Sequence, residues 1–137
     1  MRGNLNLNNA KLMPKVIFAS ILENIFLNLG YKNMREALIL VENQPAAIFT
    51  EKEYGKIYMI SYKENYTGPS ISLTLPVKNS PYTFEKFPSF FDGLLPEGPQ
   101  LEGLLKRLKI DRDDFFSQLL AVGRDLVGAV NVVRMEK

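Results

Sequence analysis

The 137-residue chain contains no histidine and no cysteine. Imidazole is the usual general base near neutral pH and the commonest metal ligand, so its absence removes Ser-His-Asp, Cys-His and His-rich zinc chemistry together. What survives is carboxylate, Lys or Tyr chemistry, or none. The lack of cysteine excludes a disulfide framework and thiolate metal sites, and it fits a reducing compartment such as the cytoplasm. An excess of one charge is missing too. The 17 Lys plus Arg stand against 15 Asp plus Glu, and the resulting net charge of +2 is too small to steer the chain toward nucleic acid. These absences favour a protein that binds another protein over one with a complete catalytic centre, a cofactor or a metal.

A long apolar run is also lacking. The segment from Val16 to Leu29 is shorter than the roughly 20 residues that cross a bilayer. Glu23, Asn24 and Asn28 interrupt it, and no small-residue cleavage site follows, although Arg2, Lys11 and Lys15 precede it. Ile17, Ile21, Leu22, Ile25, Phe26 and Leu29 instead recur at helical spacing, which predicts a short amphipathic helix ending at Gly30, on the surface or against a partner. Residues 1–36 therefore read as an N-terminal extension to a domain spanning 37–137, and Met34 offers an alternative start.

What is present suffices for one core. Hydrophobic residues make up 46% of the chain, with 9 Phe and 6 Tyr, and the charged fraction of 23% is that of an ordinary globular domain. Ala37–Glu42 and Ala46–Glu51 are β-leaning runs separated by Asn43-Gln44-Pro45, which resembles a hairpin connection, and Lys56–Tyr62 is a third run. Ile71-Ser72-Leu73-Thr74-Leu75 alternates apolar and polar residues strictly and predicts a half-buried strand ended by Pro76. After Pro81, Phe84, Phe87, Phe90, Phe91, Leu94 and Leu95 fall three and four apart, so a helix is expected there, broken by Pro88 or starting at it. Leu101, Leu104, Leu105 and Leu108 form the stripe of an amphipathic helix. Asp111 is the expected N-cap of the next helix, which Gly123 ends, and Leu126–Val133 reads as a final buried strand.

Motifs that promise chemistry fail one by one. Gly123-Arg124-Asp125-Leu126-Val127-Gly128 has P-loop glycine spacing, but Ala129 and Val130 stand where Lys and Ser or Thr must hold phosphate and magnesium. The same Arg-Asp pair lacks the preceding His of a kinase catalytic loop, and Asn131 lies six positions after Asp125 instead of five. Asp114-Phe115-Phe116 lacks the Gly of a metal-binding Asp-Phe-Gly, and Asp111-x-Asp113-Asp114 lacks the Gly and distal Glu of a calcium loop, so these aspartates read as helix caps. For Arg124 and Asp125 two readings stand: a local salt bridge at a helix end, or a partner contact. For Phe90 to Glu97 the readings are core packing, or an exposed patch that marks an interface.

Three blocks, Ile71-Ser-Leu-Thr-Leu-Pro76, Phe90-Phe-Asp-Gly-Leu-Leu-Pro-Glu97 and Gly123-Arg-Asp-Leu-Val-Gly-Ala-Val130, occur in this order. Together they resemble the N-terminal subdomain of HipA-type serine/threonine kinase toxins, over about Ala37 to Val133. The resemblance implies an α+β fold, a small β-barrel-like antiparallel sheet capped by two or three helices. It places ATP, magnesium and phosphoserine binding in a kinase core that these residues do not include, so no catalytic or cofactor residue carries over. A free-standing subdomain of this kind resembles the third component of tripartite HipBST toxin-antitoxin systems. That implies an antitoxin that inhibits a HipT-like serine/threonine kinase, with a HipB-like helix-turn-helix DNA-binding protein in the same complex. The alternatives are a regulatory subdomain of a HipA-type kinase and a transcriptional co-regulator. Phe90, Phe91, Leu95, Glu97, Arg124 and Asp125 are the expected partner-binding residues.

Overall fold

A computed structural model describes residues 34–126 and 128–135, which lie in the second of the chain's two compact units, Met34–Lys137. The helix expected over Val16–Leu29 falls outside the described residues. Five strands form one antiparallel sheet: β1 (Arg35–Val41), β2 (Gln44–Glu53), β3 (Ile57–Tyr62), β4 (Tyr82–Phe84) and β5 (Val130–Arg134). Their order, β4-β3-β2-β1-β5, leaves the sheet open, so the α+β architecture is as expected while the barrel is not closed among the described residues. Three α-helices follow β4: α1 (Ser89–Asp92), α2 (Gly98–Leu108) and α3 (Phe115–Val122).

The β1-β2 turn is tighter than the sequence implies. Glu42 and Asn43 form it, both at positive φ (51° and 66°), the backbone that a two-residue hairpin requires, and Gln44 and Pro45 already belong to β2. Pro45 has no N–H to give, and the β1-β2 register shifts beside it, between Ile39 and Leu40. Alternation then assigns the faces. Ala37, Ile39 and Val41 of β1, Ala47 and Phe49 of β2, Tyr58, Ile60 and Tyr62 of β3 and Val132 of β5 are buried on one face. Leu38, Ile48, Met59 and Val133 lie half-buried on the other.

Phe49 is the centre of the core. Its ring lies 4.8 Å from that of Phe91 of α1, 5.4 Å from that of Phe116 of α3 and 5.8 Å from that of Tyr58. Such contacts add to the roughly 1.5–3 kcal/mol gained by burying each large apolar side chain. α1 and α3 thus each place one aromatic ring against Phe49, whereas α2 contributes Leu104 and Leu105 to the buried residues.

Four expectations are corrected. Ile71–Leu75 is not a strand: Ile71 and Leu75 are buried while Leu73 points out, a pattern that period-2 alternation forbids and a turn permits. Residues 82–84 are a short strand paired with β3 through Tyr58↔Phe84 and Ile60↔Tyr82, so Phe84 is not helical, and of the two readings for Pro88 the structure has the helix starting there, with Pro88 as its N-cap. The N-cap of α3 is Asp114, not Asp111, because its carboxylate reaches the Ser117 N–H at 3.1 Å. β5 starts at Val130 instead of Leu126, since Gly123–Asp125 form a 3-10 turn first and Gly128 takes φ +102°. The α2 helix is as expected, with Leu104 and Leu105 of its stripe buried and Leu101 half-buried, while Leu108 at its end is exposed.

Candidate functional site

The three sequence blocks, far apart in the chain, meet at one open cleft of about 300 Å³. Ile71 comes from the first block, Phe90 and Leu94 from the second, and Ala129 and Val130 from the third. A second cleft of about 550 Å³ lies between the end of α2, α3 and β5, where Leu108, Ile110, Leu120 and Val133 are flanked by Arg124 and Arg134.

Within the blocks, most residues are committed to the fold. Gly123 is buried where α3 meets β5, and a Cβ there would stand 1.9 Å from the Val132 carbonyl oxygen. Asn131, one residue out of step for a kinase-type metal position, spends its side-chain amide on the carbonyls of Arg124 (2.8 Å) and Gly123 (3.3 Å), pinning the 3-10 turn. Phe91 is 0% exposed, so this expected partner residue is a core residue and presents nothing to a partner. Phe90 and Leu95 are half-buried against the core.

Glu97, Arg124 and Asp125 are exposed, and none makes an ion pair among the described residues. The local salt bridge weighed for Arg124 and Asp125 is therefore not formed among these residues. Glu97 occupies the N-cap position of α2 without a capping bond from its side chain. The six expected positions do not form one site: Phe90 lines the first cleft and Arg124 the second.

Sequence reasoning missed Leu73 and Tyr62. The Tyr62 hydroxyl donates to the Leu75 carbonyl and accepts from the Ile71 N–H at 2.8 Å, replacing the ladder partners that a strand would have had. Ser72 Oγ accepts from the Thr74 N–H at 3.3 Å, and the Leu75 N–H donates to the Ser72 carbonyl at 3.0 Å. Tyr82 and Tyr66 hold the neighbouring carbonyls of Pro76 and Pro69. Leu73, at the tip of this clamped turn, is 100% exposed. The signal available in the sequence was the pair of prolines, Pro69 and Pro76, that bracket the run and cannot donate to a ladder at either end.

The charged groups that are partly buried serve the fold. Glu51 is 1% exposed and accepts from Arg35 Nε at 2.8 Å and from the Gly55 N–H at 3.2 Å. Arg35 also donates to Asp114 at 2.8 Å and Ser117 at 2.9 Å, and its guanidinium lies 4.8 Å from the Phe116 ring centroid. Burial works against charge on both Arg35 and Asp114. Their mutual hydrogen bonds outweigh it, aided by Glu51 for Arg35 and by Ser117 for Asp114, so the Arg35 pKa lies above its usual value and that of Asp114 below. Burial and the neighbouring Glu51 carboxylate push the Tyr58 hydroxyl far above the usual phenol range. This network ties β1 and β2 to the start of α3. Among the described residues no group of three acidic, His or Cys side chains is placed to hold a metal, and no helix is long and apolar enough to cross a membrane.

Comparison with known proteins matches the HipA N-terminal domain family to residues 37–133. An uncharacterized protein of Haemophilus influenzae is 32% identical over 75 residues, covering 55% of this chain and 71% of that protein. "Putative kinase Y4dM" of Sinorhizobium fredii is 33% identical over 99 residues, which is 65% of this chain and only 24% of the kinase. A solved structure, the N-terminal domain of HipA toxin, superposes with a TM-score of 0.58 at 27% identity, over 75% of this chain and 94% of that one.

Proposed function

Because the chain belongs to the HipA N-terminal domain family, we propose that it is a non-catalytic domain that docks on a HipT-like serine/threonine kinase and inhibits it, as the antitoxin of a toxin-antitoxin system. The observation that carries this reading is the division of labour within the three blocks. Their buried members build the core, while the side chains of Glu97, Arg124, Asp125 and Leu73 are exposed and form no ion pair among the described residues. Exposed residues on a rigid scaffold are the usual material of recognition.

A domain fused to its kinase enjoys an effective concentration of about millimolar, whereas one acting in trans must compensate with affinity. An interface of roughly 1,600 Å² or more is expected on that ground. The cleft beside Phe90 offers a mainly apolar contact zone, and the cleft beside Arg124 a mixed one in which Ser117, Arg124 and Arg134 stand among aliphatic side chains.

Co-expression with a HipT-like serine/threonine kinase from the same genome tests the proposal. The kinase should lose its toxicity and autophosphorylation and should co-purify with the chain. A kinase that stays equally toxic and purifies alone sinks the idea. The match to one quarter of a kinase-length protein favours a second reading, in which the domain regulates a kinase core on the same polypeptide. Sequencing the reading frame beyond Lys137 separates the two.

A further inference from the structure

Leu73 differs from every other large apolar side chain among the described residues. Met34, Tyr54 and Leu108, the other exposed ones, are 42%, 44% and 46% accessible, and Tyr54 is partly covered by the Arg35 guanidinium at 5.4 Å. Leu73 touches so little of the protein that its accessibility is complete.

It is not at the tip of a loose loop. The buried Ile71 and Leu75 anchor the turn on either side, Tyr62 clamps both of their backbone groups, and Ser72 and Thr74 close it through their hydroxyls at 3.1 Å. The fold therefore spends buried side chains and hydrogen bonds on fixing a segment whose central residue contributes nothing to the core. A backbone already fixed in place loses little entropy on binding, which is one condition for an efficient anchor. Two residues away, Ile71 lines the cleft with Phe90, Leu94 and Val130.

We propose that Leu73, held on the Tyr62-clamped turn, is the anchor that this domain inserts into an apolar pocket of its kinase partner. The inference rests on the docking function proposed above. A protein pocket fits better than a lipid surface because the turn presents one leucine between two hydroxyl residues, and one small apolar group binds a bilayer only marginally.

The test is a titration of the full chain into the purified kinase, comparing the natural sequence with Leu73→Ala, Leu73→Met and Leu73→Asp. Because Leu73 buries nothing, all three variants should melt as the natural chain does. Full burial of a leucine in the complex predicts an affinity about 10- to 100-fold weaker for Leu73→Ala, a larger loss for Leu73→Asp and near-complete recovery with Leu73→Met.

If the natural chain binds and Leu73→Asp binds within about threefold of it, the anchor is refuted while the docking function stands. If the natural chain does not bind, both fall. Leu73-dependent self-association, or Leu73-dependent binding to phosphatidylcholine vesicles, with kinase binding intact in Leu73→Asp, also overturns the proposal and assigns the residue to a second copy or to a membrane.

Discussion

Gly123→Ala is the substitution for which the structure dictates the largest penalty per atom added. The glycine does not owe its place to a left-handed backbone, since its φ is −63°. It is there because α3 runs onto β5 so closely that a Cβ would stand 1.9 Å from the Val132 carbonyl oxygen and 2.9 Å from the carbonyl carbon. Ordinary contact requires roughly 1.5 Å of separation more than that. Both groups are main chain, and β5 is held to β1 through Val132↔Ile39, so no flexible side chain can give way.

Overpacking typically costs about 1–3 kcal/mol. With backbone on both sides the expected cost is about 3–4 kcal/mol, which lowers the melting temperature of a domain of this size by about 12–25 °C. Gly103→Ala is the matched control. It lies within α2 with nothing within 4 Å of its would-be Cβ, so alanine there should stabilise by about 0.5–1 kcal/mol. Thermal melts of the full chain followed by circular dichroism read both effects. A Gly123→Ala variant melting within about 4 °C of the natural chain would mean that the close approach of α3 to β5 is wrong.

Arg35→Met strips the nearly inaccessible Glu51 of its ion-pair partner. Arg35 is itself 30% exposed, so the expected loss is about 2–3 kcal/mol in denaturant unfolding, below the 3–5 of a fully buried pair, and Glu51→Gln added to it should recover part. The Asp114 carboxyl titrates below its ordinary value in the folded state. Its contribution is therefore complete above the ordinary carboxylate pKa and lost as pH falls through the folded value, and Asp114→Asn, which keeps a capping oxygen, should flatten that acid limb of the stability curve. Phe91→Ala should cost about 3–5 kcal/mol, whereas Arg124→Glu should leave stability within about 0.5 kcal/mol while weakening kinase capture. Tyr62→Phe leaves the Ile71 N–H and Leu75 carbonyl without a partner, at about 1–3 kcal/mol. In a double-mutant cycle with Leu73→Ala its effect on kinase affinity should be strongly non-additive, and additive losses would uncouple the clamp from the anchor.

Where residue pattern and local backbone agree, the sequence was readable. The hairpin strands and the α2 helix rest on residue period, which is local, whereas Gly123 ends α3 where expected for a reason that is not local, its close approach to Val132. Ile71–Leu75 was misread because its alternation is that of a strand, and only a distant side chain, the Tyr62 hydroxyl, reveals that its backbone is satisfied without one. Asp114 was displaced by Asp111 for a similar reason: three aspartates in four positions all suit a cap locally, and the choice falls to Arg35, far off in β1, which binds only one of them. In the expected binding set, Phe91 was included because aromatic density does not reveal which ring faces the core. Leu73 was omitted because an apolar residue in an alternating run reads as buried.

The residues that explain the family likeness and the residues available to a partner are consequently different members of the same blocks. Gly123, Asn131, Phe91, Ile71 and Leu75 are fixed by packing or by hydrogen bonds, and a chain needing only this fold would keep them. Leu73, Glu97, Arg124 and Asp125 meet no such requirement among the described residues. Any constraint on them must come from something the domain touches. Leu73 is the sharpest case, because Ile71 and Leu75, two positions away on either side, are buried and clamped while it stands in solvent. Stability measurements should therefore be blind to this second group, and partner binding should respond to both, directly through the exposed residues and indirectly through the scaffold that holds them.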